Sequence, residues 1–172
     1  HGWGRKFNKL HDRVPGGEDS MESNAIYDSL VAQNDSGVGK LLDSLRDLGL
    51  YETSLIIFYS DHGEQIFTSE SVLAKKTGHG NSLSDELLLV PLIVKFPQRS
   101  HAGTRSAVPV QLADVFATVG AETKVPVGET QGIDLKSLIA AKQVNDRAIF
   151  SEYMLYGQDQ IAVRRGDYKL VI

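Results

Sequence analysis

An acid and an imidazole stand side by side where an apolar run of the sequence ends. The run occupies residues 55–59 (Leu-Ile-Ile-Phe-Tyr), and Ser60 leads from it into Asp61, His62 and Gly63. A carboxylate and a neutral imidazole form a borderline ligand pair that serves Zn²⁺, Mn²⁺ or, less usually, Ca²⁺. Because Gly63 permits a sharp break in the backbone, both side chains can turn into one site. The alternative is a turn in which Asp61 caps a helix and His62 is merely half-buried.

A second histidine, His79, lies between Gly78 and Gly80. A donor on a glycine-flanked loop can approach a substrate closely and offset charge that develops on its oxygens. The alternative is an ordinary loop histidine in a turn. Two ligands do not complete a metal site, so further carboxylates must come from elsewhere. The chain has no cysteine, which excludes disulfides, thiolate metal ligands and a cysteine nucleophile on it.

Hydrophobic periodicity predicts the elements that must position these residues. Uninterrupted apolar runs predict strands, and the run before Asp61 suits a strand covered on both faces, as in parallel sheets. Gly49 is a natural C-terminal stop for the first helix. Helices are predicted over 24–48 and 110–120, and the capping-box spacing of Ser82–Asp85 predicts the start of a short helix. Strands are predicted over 54–60, 91–97 and 148–152. A hairpin is predicted over 161–172, with its turn at Gly166-Asp167.

This alternation of helices and strands predicts an α/β fold with a layered sheet and a C-terminal antiparallel hairpin. Residues 1 to about 22 have little periodicity and are predicted to form an extended or looped lead-in. A chain of 172 residues suffices for one core, so 1–172 is expected to be a single domain. Because it ends on apolar strand residues, we expect this domain to be truncated.

Composition narrows the range of partners. A net charge of −4 argues against a general nucleic-acid or anionic-membrane surface, since those partners require clustered Lys and Arg. No apolar run approaches the roughly 20 residues that a membrane helix needs. We therefore expect neither nucleic acid nor a membrane as a partner.

Several segments together resemble the C-terminal half of the sulfatase catalytic domain, a member of the alkaline-phosphatase-like superfamily. In the last helix segment, Gln111 and Asp114 stand where the family's "DLxPT" helix usually has Asp and Pro. The resemblance covers most of the chain, in the right order, and implies a partial α/β/α domain of alkaline-phosphatase-like type. The matching segments are Tyr-Ser-Asp-His-Gly-Glu (59–64), Gly-His-Gly-Asn-Ser and its continuation (78–94), and residues 27–46, 111–120, 151–152 and 162–169.

The resemblance also implies roles for three histidines and one aspartate. Asp61 and His62 supply two ligands to the catalytic metal, which is Ca²⁺ in a sulfatase and Zn²⁺ or Mn²⁺ in a phosphatase-like relative. His79 falls where the family places a Lys or His that touches the sulfate or phosphate of the ester substrate. His1 corresponds to the histidine of the family's "HxPY" segment, although the residues that follow it here are Gly-Trp-Gly (2–4).

Two parts of the family's site have no counterpart on this chain: the early metal-binding aspartates and the nucleophile of the C/S-x-P-x-R motif. The sequence therefore predicts a fragment of a metal-dependent sulfuric ester hydrolase that is inactive alone. Alternatives in the same superfamily are a phosphate or phosphonate monoester hydrolase and a phosphoethanolamine transferase. An alternative of another class is a non-catalytic α/β binding module.

The remaining charged groups are interpreted as surface residues: Glu64, the lysines 75 and 76, His11 and His101. Uncovered edges of the predicted sheet would invite pairing between copies of the chain, so we expect homo-oligomers or poor solubility.

Overall fold

The computed structural model describes residues 18–65, 79, 82–141, 147–153 and 159–172, with side chains from residue 25 onward. His1, His11 and the lysines 75 and 76 lie outside these residues. The elements in chain order are α1 (Glu18–Asp47), β1 (Ile56–Tyr59), α2 (Asp85–Leu88), β2 (Leu92–Lys95), a 3-10 turn (Pro97–Arg99), α3 (Leu112–Thr123), α4 (Leu135–Ala140), β3 (Ile149–Tyr153), β4 (Gln160–Arg165) and β5 (Tyr168–Val171).

The described residues belong to two compact units. The first contains residues 18–54, 64–65 and 79, and the second contains 55–63, 82–141, 147–153 and 159–172.

The long helix of the first unit is confirmed, but it begins six residues before the predicted start. The segment from Glu18, expected to be a lead-in, is helical, and the acidic residues Glu18 and Asp19 suit a helix N-terminus because of the helix dipole. The helix ends at Asp47, one residue before the predicted end, and the predicted stop Gly49 has a φ of 69°, in the left-handed region that glycine adopts readily. Among the residues described, no helix is long and apolar enough to cross a membrane.

The second unit carries two antiparallel sheets. β1 pairs with β2, with Ile57 opposite Val94. β3, β4 and β5 form the other sheet, and the predicted hairpin turn includes Gly166 with a φ of 56°. The prediction of a doubly covered parallel strand at β1 is wrong for the described residues, since Phe58 and Tyr59 are about half exposed. An apolar run alone does not distinguish parallel from antiparallel pairing.

The buried apolar residues of this unit form two clusters. Phe96, Leu135 and Leu138 pack together, and the partly buried side chains around them include Leu55, just before β1, and Val94 of β2. Leu83, Tyr153 and Ala162 form the other cluster. The first cluster therefore anchors the strand that leads to Asp61, and the second packs the segment before α2 against β3 and β4.

The short helix predicted near Ser82–Asp85 exists, but the predicted capping box does not form. Ser84 is the N-cap residue, and its side chain makes no capping hydrogen bond. The Ser82 hydroxyl instead accepts a hydrogen bond from the Ser84 amide at 3.4 Å. α2 has only four residues, so contacts outside the helix must stabilise it.

α3 and α4 share one buried polar junction centred on Asp114, which is fully buried. Its carboxylate accepts the amides of Gln111 and Ile133, each at 2.8 Å. Both of its oxygens also accept from the Arg147 guanidinium at 2.7 Å. Asp114, which replaces the usual proline of the resembled motif, therefore accepts hydrogen bonds from backbone amides both at the start of α3 and in the chain before α4. α4 itself was not predicted.

Candidate functional site

The turn after β1 presents Asp61 and His62 at the end of the strand. The Ser60 hydroxyl donates to the carbonyl oxygen of His62 at 2.6 Å. Asp61 Oδ1 accepts the backbone amide of His62 at 3.0 Å. These two local bonds hold the three residues in one tight turn and restrict the Asp61 side chain, which is otherwise 82% exposed.

The imidazole of His62 is oriented by its own backbone. Nδ1 lies 2.7 Å from the carbonyl oxygen of Gly63. A carbonyl only accepts, so Nδ1 carries the hydrogen and, in the neutral ring, Nε2 holds the lone pair. Nε2 lies 3.8 Å from Asp61 Oδ1. The turn therefore brings a carboxylate oxygen and an imidazole nitrogen of the right tautomer into one small region.

Gly63 fixes this turn against α2. Its amide donates to the carbonyl oxygen of Leu87 at 2.8 Å. A Cβ at this position would overlap the carbonyl oxygen of Glu86, so the close approach of the two backbones requires glycine. Gly63, which was predicted to permit a backbone break, has no positive φ, and the role that the structure gives it is contact with a neighbouring helix.

In the first unit, His79 is paired with Glu64. His79 Nδ1 lies 2.9 Å from Glu64 Oε2, and the two side chains are 56% and 31% exposed. An ionised carboxylate only accepts, so Nδ1–H donates to it. A carboxylate on one ring nitrogen fixes the tautomer and orientation of a histidine. The structure thus gives Glu64, which was interpreted as a surface acid, a specific partner.

His101, also interpreted as a surface residue, makes an edge contact with the ring of Phe96 at a centroid distance of 5.8 Å. It is exposed and has a positive φ of 58°. We assign it no role in the site.

The Asp61–His62 pair fits a divalent cation as two of its ligands. Metal–ligand distances of about 2.0–2.6 Å allow one ion to contact two atoms that lie 3.8 Å apart. The hydrogen bond from Nδ1 to a carbonyl is the arrangement that usually supports a metal-binding imidazole on its other nitrogen.

Comparison with known proteins identifies the family. The sulfatase family model matches residues 1–124, which is more than half of the chain. The chain belongs to the sulfatase family. Among curated relatives, it is 35% identical to mouse steryl-sulfatase over 103 residues, which cover 54% of this chain and 16% of that protein. The sulfatase-family chain thus spans about a sixth of that relative.

Solved structures share its fold. One, a protein in complex with its substrate D-glucosamine-2-N,6-O-disulfate, has a TM-score of 0.75 and 22% identity, and the match covers 97% of this chain and 35% of that one. Another, a phosphonate monoester hydrolase from Silicibacter pomeroyi, has a TM-score of 0.73 and 19% identity, and the match covers 94% of this chain and 34% of that one. The alkaline-phosphatase-like fold expected from the sequence is therefore confirmed.

Proposed function

We propose that this chain carries part of the active site of a metal-dependent hydrolase of sulfuric esters. Asp61 and His62 are two ligands of a divalent cation, and His79 contacts the oxyanion of the ester. The observation that carries the proposal is the pairing of Asp61 Oδ1 with the correctly oriented Nε2 of His62, 3.8 Å apart, in a chain that belongs to the sulfatase family. A bound divalent cation would offset negative charge on the ester oxygens.

His79 and Glu64 have complementary tasks in this proposal. Glu64 accepts the Nδ1 hydrogen of His79 at 2.9 Å and thereby orients the ring. In the imidazolium form of the ring, Nε2 also carries a hydrogen, which it can transfer to the departing alkoxide or donate in a hydrogen bond to a sulfate oxygen. Glu64 acts through His79 and is a positioning residue.

His1 retains its predicted role as a further contact to the oxyanion, on the family resemblance alone. The nucleophile and the other metal ligands of the family pattern are not among the residues of this chain. We therefore expect the 172-residue chain by itself to bind metal and oxyanion without hydrolysing an ester.

Metal titration tests the ligand pair. Calorimetric titrations with Ca²⁺, Zn²⁺ and Mn²⁺ in turn are expected to reveal one ion per chain. Asp61→Asn should lower the affinity for the preferred ion by about tenfold or more, since even the loss of a group that only orients a metal ligand lowers metal affinity by that much. The control is Glu129→Gln, which removes one negative charge at an exposed loop position. Equal losses in both variants, or no binding by the unaltered chain, would contradict the proposal.

Anion titration tests His79. In the presence of the preferred ion, the unaltered chain should bind inorganic sulfate. Both His79→Gln and Glu64→Gln should lower the affinity for sulfate. The Glu64 change is expected to have the smaller effect, about threefold, because it replaces the charged acceptor of an orienting hydrogen bond of about 0.5–1.5 kcal/mol by a neutral one and leaves the imidazole in place. Unchanged sulfate affinity in His79→Gln would remove His79 from the site.

A second candidate function is hydrolysis of phosphate or phosphonate monoesters, favoured by the fold shared with a phosphonate monoester hydrolase. A phosphoethanolamine transferase would share the same ligand pair.

Competition between inorganic sulfate and inorganic phosphate separates the two ester classes. Stronger binding of phosphate than of sulfate, with Zn²⁺ or Mn²⁺ preferred to Ca²⁺, would favour the second candidate function. Absence of both metal and anion binding would favour a non-catalytic binding module.

A further inference from the structure

Three charged side chains meet at the start of α2. Both carboxylate oxygens of Asp85, the first residue of α2, accept from Arg164 Nη2 of β4 at 2.6 Å. Lys169 Nζ of β5 donates to Asp85 Oδ1 at 2.6 Å and to the carbonyl oxygen of Leu83 at 2.7 Å. We refer to Asp85, Arg164 and Lys169 as the Asp85 triad.

The triad compensates for a weakness of α2. A single helical turn is unstable by itself, and the side chain of the N-cap residue Ser84 makes no capping hydrogen bond. The side chains of Arg164 and Lys169 are only 29% and 20% exposed, so water competes less with these bonds than it does at the protein surface. The triad therefore fixes the first turn of α2, and Leu83 before it, to the β4–β5 hairpin.

The other end of α2 touches the turn that carries the ligand pair. The carbonyl oxygen of Leu87 accepts the amide of Gly63. A Cβ at Gly63 would overlap the carbonyl oxygen of Glu86. Gly63 directly follows His62, whose Nδ1 donates to the Gly63 carbonyl. A displacement of α2 would thus move Gly63, the residue whose carbonyl oxygen orients the His62 ring.

We propose that the Asp85 triad positions the Asp61–His62 pair through α2, and that Asp85, Arg164 and Lys169 are positioning residues for the metal site. The mechanical part of this inference, from the triad to Gly63, stands on contacts of the second unit alone. The part that concerns metal affinity rests on the proposed function.

Hydrogen exchange of the Gly63 amide tests the mechanical part without any metal. In Arg164→Gln, exchange at Gly63 should become about fivefold faster, as expected for the loss of one well-formed ion pair. Amides of the β1–β2 pair serve as internal references and should not change, which separates displacement of α2 from general loss of structure. Arg105→Gln, an equal change of charge on an exposed loop, is the matched control.

Two further variants strengthen the test. Asp85→Asn should accelerate Gly63 exchange as Arg164→Gln does, and the double variant should add little because both changes remove the same contact. Asp85→Glu keeps the charge and should restore most of the protection. If Gly63 exchange in Arg164→Gln and Asp85→Asn equals that of the unaltered chain, the inference is overturned.

Loss of the free Mn²⁺ signal in electron paramagnetic resonance then tests the link to the metal. Arg164→Gln should weaken Mn²⁺ binding about fivefold, in step with the exchange at Gly63. If Asp61→Asn leaves Mn²⁺ binding unchanged, the proposed function fails, whereas the exchange data still decide whether the triad holds the turn. If Asp61→Asn abolishes binding and Arg164→Gln has no effect on it, the triad does not position the site.

Discussion

The guanidinium of Arg147 holds the carboxylate of Asp114 in a bidentate ion pair, with both N···O distances at 2.7 Å. Asp114 is fully buried and the Arg147 side chain is 10% exposed. Each charge is therefore compensated almost entirely by the other and by the amides of Gln111 and Ile133. Removal of one partner would leave the other as an uncompensated buried charge. The stability lost in this way is much larger than the stability that the ion pair adds relative to two apolar residues in its place.

We expect Arg147→Gln to lower the free energy of unfolding by about 3–5 kcal/mol, because the Asp114 carboxylate then loses its counter-ion in the interior. Urea denaturation measures the change. Glu129→Gln, an exposed substitution in the same unit, should change stability by less than about 0.5 kcal/mol. A loss similar to that of this control would mean that water reaches Asp114.

Because of the Asp85 triad, we expect the stability of the fold to depend on pH in the acid range. Hydrogen bonds from Arg164, and then from Lys169, lower the pKa of Asp85 from its ordinary 3.8. A lowered pKa in the folded state means that the ionised carboxylate stabilises the fold above its ordinary pKa, and that this stabilisation is lost as the pH falls through the folded value.

The difference in melting temperature between the unaltered chain and Asp85→Asn should therefore be constant above about pH 5 and shrink below about pH 4. Because half of the Asp85 side chain is exposed, high salt should also reduce the difference. Thermal unfolding followed by circular dichroism between acid and neutral pH checks both. A difference that persists at the acid limit would assign the effect to something other than the carboxylate charge.

Two glycines should respond to alanine in opposite directions. Gly63→Ala forces a methyl group against the backbone of Glu86 and should destabilise the second unit by about 1–3 kcal/mol. Gly37 lies within α1 with open space around its missing Cβ. Gly37→Ala should therefore stabilise the helix by about 0.5–1 kcal/mol. Hydrogen exchange across each unit measures the two effects separately, and a neutral Gly63→Ala would show that the turn can move away from α2.

The features that the sequence predicted well depend on neighbouring residues. Gly49 and Gly166 mark a helix end and a hairpin because a positive φ is a local requirement of each turn. Gly63 was also recognisable as a turn residue, although its requirement for glycine comes from the close contact with Glu86 and not from a positive φ. α4 could have been predicted from its N-cap, since Asp134 accepts the amide of Ser137 and two leucines follow at helical spacing. Its six residues are too few for periodicity to be convincing.

The features that the sequence did not predict depend on contacts between distant residues. Arg147 and Asp114 are 33 positions apart, and Arg164 and Asp85 are 79 apart. Glu64 and His79 are separated by 15. No local pattern distinguishes these charges from solvated surface groups. The assignment of a role to the Asp61 turn came from family resemblance, and its metal-binding role stays a prediction.

Apolar side chains on both sheets support the expected association of the chain. Phe58 and Ile93 are cross-strand neighbours in β1 and β2 and are 46% and 64% exposed. In the other sheet, Phe150 and Leu170 flank the central strand at the same register and are about 60% exposed. Adjacent exposed apolar groups of this kind favour burial against another surface.

We therefore expect the chain to form oligomers at micromolar concentration, which light scattering detects. Ile93→Lys and Leu170→Lys place charges on the exposed faces, so each should partly dissociate the oligomers. Arg105→Lys, which keeps the charge of an exposed loop residue, should leave the size distribution unchanged. A monodisperse monomer of the unaltered chain would contradict the expectation.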